Sequence, residues 1–131
     1  MLKSLIAISA GASLGAICRW LLGLLLNPVH PHLPLGTLTA NILGGYAIGL
    51  ALSFFSSLPS LSPEWRLFVI TGFLGALTTF STFSAEVGLM LQQHRFFLAA
   101  GTIALHVCGS LVALFLGMGT FSFLRYLLQN S

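Results

Sequence analysis

The sequence predicts an all-α membrane protein, with four transmembrane helices folded as a single domain over residues 1–131. Three observations carry this. Only 5% of the 131 residues are charged and 56% are hydrophobic, with a mean hydropathy of +1.00. A soluble domain carries about 25% charged residues, so this chain could not clothe a water-facing surface. Its apolar residues also fall into runs at 5–26, 35–58, 67–91 and 96–124, each at or above the roughly 20 residues a helix needs to cross hydrocarbon. Helix stoppers separate the runs. In lipid the backbone must satisfy its own polar groups, which leaves helices or closed barrels, and unbroken apolar runs lack the alternation of a barrel strand.

The first run follows Lys3 and resembles a secretory signal at its start. It continues past Arg19 to Leu26 without a clean cleavage site, so it is taken as the first span. "GASLG" sets Gly11 and Gly15 four apart, and Gly45 and Gly49 repeat the interval in the second run. Small residues at this spacing let helix backbones approach closely, here read as packing inside one bundle rather than as a dimer face. "NPVHPHLP" ends the first span and "SSLPSLSPE" the second, both through proline. The second run places Thr37, Asn41, Gly45 and Gly49 on one helix face. Asn41 there either bonds a neighbouring helix or offers N–H donors to an anion.

The third run contains "GALTTFSTFS", residues 75–84. In one reading its hydroxyls bond back to carbonyls of the preceding turn and the phenylalanines face lipid. In the other, the helix breaks there, with Gly75 well placed to begin the break, and hydroxyls take over freed backbone partners. Phe80 and Phe83, three apart, would then share a side, and a ring edge turned inward favours a small anion. Glu86 near the end of this span either pairs with Arg19 or titrates during transport. After the polar turn "QQHR", the fourth run carries Thr102, His106 and Ser110 at intervals of four, a stripe that suggests a wetted or buried lining.

Charge and cysteine usage exclude several classes. The net charge of +3 comes from Lys3, Arg19, Arg66, Arg95 and Arg125 against Glu64 and Glu86. These cations form no patch, which argues against nucleic acid. Cys18 and Cys108 lie in apolar runs without metal-ligand spacing and read as small hydrophobes. GxxxxGK, HExxH and any nucleophile–base set are absent, so no enzyme activity is expected. With four spans, Lys3, Arg66 and Arg125 lie at one face of the membrane. Arg95 lies at the other, with Arg19 if it snorkels outward. So small a bias permits insertion both ways up, and hence an antiparallel pair.

"GFLGALTTFSTFS", with "TLTANILGGYAIG" upstream and "GASLGAICRW" at the front, resembles the Fluc family of bacterial fluoride channels, also called the CrcB type, over essentially the whole chain. The resemblance implies an antiparallel, dual-topology homodimer in the bacterial inner membrane, with a broken third helix and two fluoride pores. It implies pore roles for Asn41, Phe80 and Phe83, and a polar lining of Ser81, Thr82, Thr102, His106 and Ser110. It further implies a structural sodium ion on the dimer axis, held by the backbone carbonyls of Gly75 and Thr78. Arg19 matches the family's first-helix arginine, and both it and Glu86 are assigned a structural or vestibule place. Two rivals are a small proton-coupled exporter of cationic drugs and a non-transporting membrane subunit. The first usually needs a carboxylate deep in its first helix, where this chain has Arg19 and no acid before Glu64.

Overall fold

The computed structural model describes residues 1–131 and is helical throughout. It consists of α1 (Leu2–Leu26), α2 (Leu35–Ser57), a third span from Pro63 to Gln92, and α6 (Phe96–Gln129). All four spans are long and apolar enough to cross a membrane. Three of the four spans extend past their apolar runs, most of all at the C-terminal end of α6, where Arg125 to Gln129 continue the helix, whereas α2 stops one residue short at Ser57. At 34 residues α6 is about 51 Å long by helical rise, against roughly 30 Å of hydrocarbon, so its last turns project beyond the core.

The third span is composite. A short α3 (Pro63–Arg66) opens it with Pro63 in the first turn, a π-helical stretch follows over Leu67–Leu74, and α4 (Gly75–Leu77) closes the first half. Thr78 and Thr79 then have extended backbone, with ψ of 151° and 117°, and α5 (Phe80–Gln92) resumes. Gly75 is itself helical (φ −63°, ψ −35°), so the chain opens at Thr78 and not at the glycine.

Two close helix crossings hold the bundle, and glycine sets both. A Cβ on Gly11 or Gly15 would strike the backbone of Phe68 or Phe73, and one on Gly72 would stand 2.7 Å from the Ile8 carbonyl. Across the molecule Gly45, Gly49 and Gly117 allow α2 to lie directly on α6, where Gly45 would meet the Ser110 carbonyl at 2.8 Å. Such approach gains dispersion contact where water supplies no driving force. Tyr46 and Thr120 add a hydroxyl bond of 3.0 Å over the same crossing. The interior is small. Ala40, Ala51, Leu74 and Leu77 form one cluster, and Phe83, Val87, Met90 and Ala99 a second.

Arg19 does not snorkel outward. Its Nε–H donates to the Ala76 carbonyl at 3.0 Å, which draws the side chain inward and leaves Arg95 as the loop cation at its end of the bundle. There Arg95 Nη1 meets His32 Nδ1 at 2.7 Å, tying the turn after α5 to the segment before α2.

Candidate functional site

The opening at Thr78 and Thr79 costs helical hydrogen bonds, and side chains from other elements replace them. In an unbroken helix the Thr79 N–H would close on the Gly75 carbonyl. Instead it donates to Asn41 Oδ1 at 2.7 Å, while Asn41 Nδ2 donates to the Thr79 carbonyl at 3.0 Å. The Asn41 amide thus pairs with Thr79 as a neighbouring strand would. One turn on, the Thr82 N–H donates to Thr79 Oγ1 at 3.1 Å, so Thr79 caps α5. The Ala76 carbonyl is covered by Arg19. Each repair gives a part-buried polar group the partner that the opened helix no longer supplies.

Around this clasp lies a groove of about 440 Å³ between α2, α6 and the start of α5. Asn41, Phe80, Phe83, His106 and Ser110 line it, together with Thr78 and Thr79. Phe80 is 77% exposed and Phe83 6%, their ring centroids 5.5 Å apart and tilted by 57°. Phe83 also lies on the His106 imidazole at 4.5 Å. The second hydrogen of Asn41 Nδ2 goes to His106 Nδ1 at 3.0 Å, so both amide hydrogens are engaged. The N-terminus of α5, where unpaired N–H groups concentrate positive partial charge, opens at the same groove through Phe80.

Other residues of the sequence reading lie elsewhere. Thr102 sits on the His106 stripe but is 1% exposed. Its hydroxyl donates to the Leu98 carbonyl at 2.8 Å and faces Met90 Sδ at 3.5 Å, away from the groove. Ser81 is exposed, with its hydroxyl 3.3 Å from Thr79 Oγ1. Thr82 lines a separate cleft of about 310 Å³ with Arg19, Thr37 and Thr79. Glu86 does not pair with Arg19. Its Oε1 accepts from Thr37 Oγ1 at 2.6 Å, and its Oε2 is buried without a partner. Gly75 and Thr78 lie on either side of Ala76 and Leu77, with Thr78 Oγ1 bonded back to the Leu74 carbonyl at 2.8 Å. Sequence reasoning missed the capping role of Thr79, whose one signal was its residue type, a hydroxyl of the kind favoured at helix N-caps.

The family model described as CrcB-like protein, Camphor Resistance (CrcB), matches residues 6–118. The chain belongs to the CrcB-like family. This CrcB-like chain is 61% identical over 125 residues to the fluoride-specific ion channel FluC of Desulfovibrio desulfuricans, covering 95% of the chain and 97% of the relative. It is 63% identical over 125 residues to the protein of the same name from Tolumonas auensis, at 95% and 98% coverage. A third CrcB-like relative of that name, from Pseudomonas putida, is 60% identical over 124 residues, at 95% and 98%.

Proposed function

We propose that the chain is a passive, fluoride-selective channel of the bacterial inner membrane that lets fluoride leave the cytoplasm. Near-full-length identity of about 60% to relatives named as fluoride channels carries this reading. Fluoride enters a cell as its neutral acid and is trapped as the anion in a less acidic interior. An open path then lowers its concentration without covalent chemistry.

The groove supplies the means. None of its lining residues carries a fixed positive charge; beside aliphatic side chains it offers phenyl rings, hydroxyl, amide and imidazole groups and the start of a helix. Neutral donors of this kind hold an anion weakly enough to release it, as conduction requires. The two halves of the third span act as a broken helix, and the break sets α5's N-terminus beside the anion's route. Phe80, so widely exposed in one chain, becomes a wall of the path when a second, antiparallel copy covers the groove.

The break also fits a sodium ion. The Thr79 and Thr82 N–H groups, which would serve the Gly75 and Thr78 carbonyls in a continuous helix, are taken by Asn41 and by Thr79's own hydroxyl. That frees two carbonyl oxygens, the ligand type a hard cation selects. Gly75 and Thr78 would hold the ion between copies, where it supplies positive charge that fixes the two interruptions against each other.

Fluoride efflux from sealed liposomes, read with a fluoride electrode, tests the channel. Wild-type protein releases the ion, and Phe80→Ile and Asn41→Asp each slow it by about tenfold or more, equivalent to about 1.4 kcal/mol of barrier. Wild-type rates in both variants would remove the groove from the path. Vesicles that stay sealed to fluoride with wild-type protein would end the reading.

A further inference from the structure

The hydrogen bonds around Asn41 determine where the proton sits on His106. The Thr79 N–H can only donate and the Thr79 carbonyl can only accept, so the Asn41 amide has one orientation, Oδ1 to the former and Nδ2 to the latter. Nδ2 has one hydrogen left and no capacity to accept. Its contact with His106 Nδ1 at 3.0 Å therefore makes Nδ1 the acceptor and puts the ring hydrogen on Nε2. That Nε2–H is buried and has no partner, in a ring 4% exposed and stacked under Phe83. Buried donors without acceptors are rare because they forfeit their bond to water. Its residue, His106, is among those lining the groove proposed to carry a small anion.

We infer that His106 Nε2–H is an anion donor of the path, and that Asn41 is a positioning residue which keeps the hydrogen there rather than itself donating to the anion. The opened backbone at Thr79 orients Asn41, Asn41 sets the tautomer, and the tautomer presents a neutral donor. The inference rests on the channel reading for the identity of the ion. It is separate from that reading in its chemistry.

Purified protein carrying 15N-labelled histidine tests it by NMR, since the ring nitrogens of the two tautomers resonate apart. Wild-type His106 carries its hydrogen on Nε2, and sodium fluoride, compared with sodium gluconate, shifts that resonance. Asn41→Asp offers Nδ1 an acceptor and moves the hydrogen to Nδ1. In liposomes His106→Gln, whose amide reaches toward the Nε2 position, conducts about tenfold faster than His106→Asn, whose amide reaches only the Nδ1 position. Both variants are first checked for wild-type elution by gel filtration, and this pair suffices where Asn41→Asp fails to fold. A wild-type hydrogen on Nδ1, an Nε2 resonance indifferent to fluoride, or equal flux in the glutamine and asparagine variants would overturn the inference. If the tautomer and the fluoride shift hold while vesicles stay sealed, the donor site stands and the channel reading falls.

Discussion

Thr79 meets three demands at once: its N–H and carbonyl pair with the Asn41 amide, and its hydroxyl accepts from Thr82. Hydroxyl residues at a helix N-cap are worth about 1 kcal/mol. Thr79→Val keeps the shape and loses the cap, so its unfolding midpoint in detergent falls, whereas Thr79→Ser melts near wild type. Equal melts for valine and threonine would deny the hydroxyl this role. The cluster "TTFSTFS" was legible as an unusual concentration of hydroxyls. Their division of labour was not. Adjacent Thr78 and Thr79 differ in what their hydroxyls reach, one bonding back to Leu74 and the other capping forward. Thr102 was misleading for a related reason: spacing put it on a stripe with His106, but Met90 of α5 covers it.

Between elements, glycine decides how near two helices come. Gly49→Ala places a methyl against the Leu114 carbonyl of α6, while nothing lies within 4 Å of a Cβ at Gly119. Overpacking costs about 1–3 kcal/mol, so Gly49→Ala lowers the thermal midpoint and Gly119→Ala leaves it unchanged or slightly raised. If the two variants melt alike, the α2–α6 crossing does not depend on close approach. Glycine pairs four apart could be seen in the sequence, but not their partners: Gly11 and Gly15 meet the third span, whereas Gly45 and Gly49 meet α6. The π-helical stretch at Leu67–Leu74 was invisible, since α- and π-turns draw on the same apolar residues.

For the whole molecule, burial is sparse. Only 20 of 131 residues are buried, and Phe80, Phe97 and Leu128 stand largely exposed, an apolar surface suited to lipid. Hydropathy alone revealed the four spans. It could not give the start of α1 or the end of α6, where Lys3 and Arg125 interrupt the apolar run without ending the helix. With Arg19 turned to Ala76, the cations outside the bundle are Lys3, Arg66 and Arg125 at one end and Arg95 at the other. If the proposed antiparallel pair forms, Ser131→Cys, in a chain whose Cys18 and Cys108 are replaced by alanine, reacts with an impermeant thiol reagent from both faces of the membrane. Labelling from one face alone would leave a single orientation.

The gap at Thr78 and Thr79 is held open by residues far away in the chain, Asn41 and Arg19. A synthetic peptide of residues 63–92 has neither guest. In micelles it is therefore expected to zip into one straight rod, with amide exchange at residue 79 as slow as at its neighbours, so that the bend belongs to the company the segment keeps.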